Sequence, residues 1–294
     1  MAIVVGHNST PQYAAAKKSL AQNFLTDRRI VSRIIAAADI APDDNVLEIG
    51  PGRGILTRPL ADRAASLTAV ELDDHLAAAL ATEFAEHSHV NIVHADARQV
   101  DIASLLTDGA RYKLIANLPY YASQPIIRRF LEAERQPTMM VVMVQREVAR
   151  NMTAAPGNMS LLSVATQLYG KPRIIGSVPP RAFRPAPKVT SAIVRIDVYS
   201  QLALDLDSAD AFFTLVRAGF SAPRKQIHNC LQNGLTQNGL TITRVDVEDV
   251  LQHANIDPKR RPQTLSLDEW GDLYAAWRQR YPESNAYTQG IREN

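Results

Sequence analysis

Apolar positions in the first half of the chain alternate between short unbroken runs and helical spacing. Ile30, Val31, Ile34 and Ile35 recur at intervals of three and four after Asp27, which predicts a helix that Asp27 caps and Pro42 closes off. Residues 45–50 then read as a buried strand, followed by a glycine-rich turn and a helical stretch over 55–63. The alternation continues with strands at 67–71, 90–94, 112–116 and 139–144, separated by helices at 74–85 and 124–132. Such a rhythm predicts a mostly parallel sheet covered by helices on both faces.

The rhythm changes after Glu147. A helix is expected at 160–169, then strands at 172–178 and 191–198, appended as an antiparallel pair. Between them Pro179, Pro180, Pro185 and Pro187 predict a stiff, extended connection. Residues 199–207 are the expected boundary, and helical patterns at 209–218, 224–233, 244–254 and 267–280 follow. The expected fold is α/β and Rossmann-like, with an N-terminal arm, a catalytic domain over 1–200 and a small helical domain over 201–294. No internal repeat or coiled-coil heptad interrupts this pattern.

Length and composition agree with a large domain joined to a small one. The chain has 294 residues, 46% hydrophobic and 21% charged, in the range of folded proteins. Cys230 is the single cysteine, so neither an intramolecular disulfide nor a cysteine metal cluster can form. The longest apolar run, Met139 to Val144, is far shorter than a membrane span, and the first residues lack a secretory pattern, so a cytoplasmic location is expected. The seven histidines are scattered, and no metal site is expected.

Net charge is only +2, but it is unevenly distributed. Residues 41–110 carry 4 basic and 12 acidic side chains, whereas 135–196 carry 9 basic and 1 acidic, making the later segment a candidate polyanion surface.

Candidate chemistry begins at Glu48-Ile49-Gly50-Pro51-Gly52-Arg53-Gly54, where a strand passes into a helix. Glycines there permit a tight turn and close backbone approach, but the G-x-G-x-G spacing differs from the dinucleotide pattern. Glu71 stands 21 residues after Gly50 at the end of the next strand, where a carboxylate can hold a ribose diol. Asp96 follows the third strand. With S-adenosylmethionine as cofactor, Glu71 would take the ribose and Asp96 the adenine amino group. The block from Glu48 to Gly54 resembles the first motif of Rossmann-like methyltransferases.

The fourth strand runs into Asn117-Leu118-Pro119-Tyr120 at the same edge. The Asn117 side-chain oxygen and the Leu118 carbonyl can accept the two hydrogens of an exocyclic amine. Pro119 stiffens the turn, and Tyr120 can stack on a base. Phe183, between prolines and flanked by Arg181, Arg184 and Lys188, is the candidate opposite wall of a base sandwich. Gln22-Asn23-Phe24-Leu25 is placed over the cofactor, with Lys17 and Lys18 toward nucleic-acid backbone. Arg146 and Arg150, Arg224 and Lys225, and the run from Lys259 to Arg261 are further basic clusters.

Together these motifs resemble the KsgA (RsmA) family of ribosomal RNA adenine N6,N6-dimethyltransferases over residues 17–275. Gln145-Arg146-Glu147-Val148-Ala149 and Thr264-Leu265-Ser266 extend the match. The resemblance implies a seven-stranded sheet and S-adenosylmethionine bound by Gln22, Asn23, Leu25, Glu48, Gly50, Gly52, Glu71, Leu72, Asp96, Ala97 and Asn117. It implies catalysis by Asn117, Leu118, Pro119, Tyr120 and Phe183, and RNA binding by Lys17, Lys18, Arg146, Arg181, Arg184, Lys188, Arg224 and Lys225. The substrate implied is two adjacent adenosines near the 3′ end of small-subunit ribosomal RNA, each methylated twice. The implied partner is the small ribosomal subunit or its precursor RNA, met by a monomer. The chain departs from the family pattern at Ala21 and over residues 156–162, which bears on substrate recognition.

The alternative is the large-subunit adenine N6-methyltransferase class of macrolide resistance, which shares the cofactor and the Asn117-type chemistry. Leu118 sets the motif apart from the Asp-Pro-Pro-Tyr and Asn-Pro-Pro-Tyr patterns of DNA and protein-amide enzymes. A non-catalytic RNA-binding factor on the same scaffold would tolerate loss of Glu71, Asp96 or Asn117, and all three are present.

Overall fold

The computed structural model describes residues 23–106 and 109–282. Its first part contains β1 (Phe24–Leu25), α1 (Arg28–Ala38), β2 (Asn45–Ile49), α2 (Thr57–Ala61) and β3 (Ser66–Glu71). Next come α3 (Asp74–Glu83), β4 (Val90–His94), β5 (Tyr112–Asn117), α4 (Ser123–Leu131) and β6 (Met139–Gln145). The expected N-terminal arm, with Lys17, Lys18 and Gln22, lies outside the described residues.

Five strands form a parallel core in the order β4-β3-β2-β5-β6, with β2 paired to both β3 and β5. The chain winds outward from β2 to one side and then returns to build the other. This reversal leaves a crevice at the carboxyl ends of β2 and β5. Near-continuous apolar strands such as β6, buried from Met139 to Val144, suit a sheet covered on both faces.

α1 shows how local sequence anchors that core. The Asp27 carboxylate accepts from the Arg29 N–H at 2.9 Å, and Asp39 ends the helix with φ of 45°. Its Ile30, Val31, Ile34 and Ala38 face packs into a cluster with Leu60, Leu67, Ile115 and Ile193. Each fully buried aliphatic side chain contributes about 1.5–3 kcal/mol.

The remaining elements are α5 (Arg146–Met152), α6 (Leu161–Tyr169), β7 (Gly170–Val178), β8 (Phe183–Arg184) and β9 (Ser191–Val198). The chain ends, among the described residues, with α7 (Ala209–Gly219), α8 (Ile227–Gln237), α9 (Arg244–His253) and α10 (Leu267–Arg280). β9 and β7 complete a seven-stranded sheet beyond β6. The proline-rich connection is less extended than its composition implies. A tight turn closes at 3.0 Å from the Ala182 N–H to the Pro179 carbonyl, and β8 then pairs antiparallel with β1.

The chain divides into two compact units. One runs to Arg146 and takes in Ile175–Arg195; the other comprises Glu147–Ile174 and everything from Ile196 onward. In the second unit, Ser160, Thr243 and Ser266 open α6, α9 and α10 with reciprocal capping boxes. Its 156–162 segment is pinned by the Gly157 and Met159 N–H groups, which donate to the Gln263 carbonyl at 2.9 and 3.0 Å. The Gln263 side chain donates back to the Gly157 carbonyl at 3.1 Å. The departure from the family pattern is thus an ordered turn.

Candidate active site

The first unit carries a cavity at the crevice between β2 and β5, lined by the glycine loop, the ends of β3 and β4, the turn from Asn117 to Ala122 and the β1/β8 ribbon. Gly50 and Gly52 take φ of 71° and 58°, a region L side chains rarely adopt. A β-carbon at position 50 would lie 3.5 Å from the Asn117 carbonyl oxygen, and one at position 52 would lie 3.3 Å from the Phe24 ring. The loop therefore lies close to the end of β5 on one side and to β1 on the other, with little more than the space of a β-carbon between. Asn23, Phe24 and Leu25 line the cavity, as the sequence predicts for this segment.

Glu71 lies at the cavity wall with 7% of its surface exposed. Its carboxylate accepts from the Gly52 and Asp73 N–H groups, each at 2.9 Å, so it also braces the glycine loop. Burial raises its pKa, against these backbone hydrogen bonds, which lower it. Leu72, exposed, and Ala97, buried, also line the cavity.

Asp96 also lines the cavity, but Arg98 engages both of its oxygens, with Nη2 at 2.6 Å from Oδ2 and Nε at 3.0 Å from Oδ1. This pairing is the main cause of its lowered pKa. Arg98 carries no apolar periodicity or motif spacing that marks it in the sequence.

Glu48 differs from the expectation. It is not among the cavity-lining residues, because neighbours on a strand face opposite sides and it is Ile49 that reaches the cavity. Its carboxyl is 1% exposed, and burial pushes its pKa to about 8; Thr57 opposes that rise, the Glu71 charge adds to it and Arg58 works against it.

At the end of β5, the Asn117 side-chain amide has no hydrogen-bond partner among the described residues. The Leu118 N–H donates to the Met143 carbonyl at 3.3 Å, and the Pro119 carbonyl accepts from Ala122 at 3.0 Å. Neither of these bonds uses the Leu118 carbonyl. Two acceptors, the Asn117 oxygen and the Leu118 carbonyl, thus have no partner among the described residues, on a turn whose own backbone is tied down.

Tyr120 lies beyond them, its hydroxyl 2.6 Å from that of Ser191. Burial raises its pKa, with the Ser191 hydroxyl acting in the opposite direction. Ser191 is fully buried at the start of β9 and was not identifiable from local sequence. Phe183 lines the cavity yet is only 1% exposed, because pairing of β8 with β1 sets it opposite Leu25 in the core. It is a packed wall rather than a projecting loop aromatic. Other lining residues include Arg53, with its guanidinium carbon 4.4 Å from the Phe24 ring centroid, and Tyr121, which is 52% exposed.

The basic residues lie apart from the cavity lining. Arg146, Arg181, Arg184 and Lys188 are exposed in the first unit, and Arg224 and Lys225 are exposed in the second. Among the described residues, no group of three or more metal-ligating side chains occurs. No described helix is long and apolar enough to cross a membrane.

The cavity fits a nucleoside-bearing cofactor. Its glycine cradle would be filled by a β-carbon at either position, its apolar surface includes Leu72 and Ala97, and two carboxylates close its β3 and β4 sides. Glu71, Leu72, Asp96 and Ala97 would hold the adenosyl part of S-adenosylmethionine.

Comparison with known proteins agrees with this geometry. Ribosomal RNA small subunit methyltransferase A of Dehalococcoides mccartyi is 43% identical over 255 residues, covering 87% of this chain and 86% of that protein. The protein of the same name from Pelotomaculum thermopropionicum is 44% identical over 268 residues, covering 87% and 90%. Among solved structures, the 23S rRNA methyltransferase ErmE superposes with a TM-score of 0.67 at 30% identity, covering 86% of this chain and 99% of that one. A dimethyladenosine transferase from Plasmodium falciparum gives 0.73 at 24% identity, covering 89% and 98%, and supports the fold. The profile of the family described as Ribosomal RNA adenine dimethylase matches residues 14–272, and the chain belongs to that family.

Proposed function

We propose that this protein transfers methyl groups from S-adenosylmethionine to the N6 amines of two adjacent adenosines near the 3′ end of small-subunit ribosomal RNA. The observation that carries the chemistry is the pair of acceptors, Asn117 and the Leu118 carbonyl, unpartnered among the described residues on a turn close to the glycine loop. The small-subunit assignment draws on the relatives that bear that name at 43% and 44% identity.

The cofactor, when bound, supplies an electrophilic methyl group. Asn117 and Leu118 accept the two amine hydrogens and turn the nitrogen lone pair out of conjugation with the ring. Tyr120 and Phe183 flank the base and exclude water. The nitrogen gains the methyl group and releases one proton to solvent, because an ammonium without ring conjugation is acidic enough to need no dedicated base. A second round at the same nitrogen replaces the remaining hydrogen. The unit that runs to Arg146 and takes in Ile175–Arg195 carries this chemistry, while the other, with Arg224 and Lys225, contributes RNA contacts.

Methyl transfer to isolated small subunits, large subunits and naked RNA, followed by modified-base mapping, tests the proposal. The expected result is dimethylated adjacent adenosines near the 3′ end of the small-subunit RNA. Modification confined to large-subunit RNA would replace this reading with the macrolide-resistance type of activity.

A further inference from the structure

The first turn of α1 carries two exposed arginines, Arg28 and Arg29, and no acidic residue. Positive charge at a helix N-terminus opposes the helix dipole, so the pair does not serve the helix itself. Their surroundings supply another use. Arg33, one turn after Arg29 on the same helix face, donates to the carbonyls of Ile175 and Ser177, both at 3.3 Å. At the other end, the Thr26 N–H and hydroxyl donate to the Ala182 carbonyl at 2.8 and 3.2 Å. The stretch from Thr26 to Arg33 therefore runs antiparallel to 175–182, and Arg29 falls beside the turn that bears Arg181.

The β1/β8 pairing continues the juxtaposition by setting Phe24 opposite Arg184 and Leu25 opposite Phe183. Arg181 and Arg184 are exposed, and among the described residues none of the four arginines forms an ion pair. Phe24, Leu25 and Phe183 line the cavity, so these cations stand, outside the lining, within four residues along the chain or across the β1/β8 register of its wall.

We propose that Arg28 and Arg29 join Arg181 and Arg184 in one arginine rim that grips the RNA phosphates flanking the target adenosine. The proposal rests on the RNA-methylating function above and assigns a contact to Arg28 and Arg29. A guanidinium fork matches phosphate oxygens in pairs, and holding the strand beside the cavity offsets the cost of unstacking the target base.

The test is equilibrium binding of isolated small ribosomal subunits at several salt concentrations, with wild type, R28Q/R29Q, R28K/R29K and the single variant R29Q. The double glutamine variant is expected to lower the logarithmic salt slope by about 0.7–0.9 for each lost contact and to bind more weakly at low salt. The lysine pair should keep the slope, R29Q should lose about half of the double variant's change, and cofactor affinity should be unchanged throughout. Thermal unfolding checks the fold, and the glutamine variants should be at least as stable as wild type because they relieve the helix end. Salt-dependent wild-type binding with wild-type slopes in all variants overturns the arginine rim alone. Wild type that neither binds nor methylates small subunits overturns the function and the rim together.

Discussion

The Tyr120 and Ser191 hydroxyls, 71 positions apart in the chain, lie 2.6 Å from each other and tie the turn after β5 to the start of β9. The tie fixes the tilt of the ring proposed to stack on the target base. A neutral hydrogen bond of this kind contributes about 0.5–1.5 kcal/mol. Ser191→Ala and Tyr120→Phe are each expected to slow single-turnover methylation roughly two- to twelvefold without changing cofactor affinity. Because both remove the same bond, the double variant should be little slower than either single one. Additive losses would show that the two hydroxyls act separately.

Glu71 has two duties, and its replacements separate them. Glu71→Ala removes the proposed ribose acceptor and also strands the Gly52 and Asp73 N–H groups. Cofactor affinity should fall by about 1.5–3 kcal/mol, and the melting temperature should fall with it. Glu71→Gln keeps one acceptor oxygen and should lose less of both. Since burial raises the Glu71 pKa, cofactor binding should also weaken on acidification as the carboxylate takes up a proton. Calorimetric titration and thermal unfolding across pH measure the two effects.

Glu48 makes a prediction about stability rather than binding. Its pKa is about 8 in the folded chain, against 4.5 for an ordinary glutamate carboxyl. Between those values the folded state holds the proton more tightly than the unfolded state, so this group's contribution to stability falls as pH rises from about 4.5 to about 8. Glu48→Gln, which is always neutral, removes that loss and should stabilise the protein by at most about 3 kcal/mol at pH 7. Denaturant unfolding of both proteins at pH 5 and pH 8 checks it; a constant difference between them would show that Glu48 does not titrate in this range.

Much of the fold is legible because its elements are long enough to repeat a pattern. β4, β9 and α10 occupy the stretches expected from alternation and helical spacing. β1 and β8 have two residues each, too few for any period, and only their pairing across the chain makes them strands. α5 begins where β6 ends, so no turn signal separates them. At the site, Asn117 and Glu71 are legible because their positions follow from strand ends. Arg98 and Ser191 are not, since one acts through a local ion pair and the other through a distant contact. Phe183 was legible as a cavity residue but not as a buried one, because its burial comes from the β1 pairing.

Asn117 gives the most discriminating prediction. Its side-chain amide has no hydrogen-bond partner among the described residues, so truncation should leave folding stability within about 0.5 kcal/mol of wild type. The cavity carboxylates and the proposed arginine contacts stay in place in Asn117→Ala, so RNA affinity should change little and cofactor affinity should fall by no more than the loss of one contact, about 0.5–1.5 kcal/mol. What is lost is the acceptor that holds one amine hydrogen and aims the nitrogen lone pair. Preorganised groups of this kind contribute roughly a hundredfold or more to rate, and higher RNA concentration cannot replace the missing orientation. Asn117→Asp keeps an acceptor oxygen at the same reach and should retain more activity than the alanine variant. Single-turnover methylation of small subunits at saturating cofactor and RNA, with both affinities measured separately, isolates the effect. Near wild-type turnover by Asn117→Ala would remove the side chain from the mechanism and leave the Leu118 carbonyl as the acceptor that positions the amine.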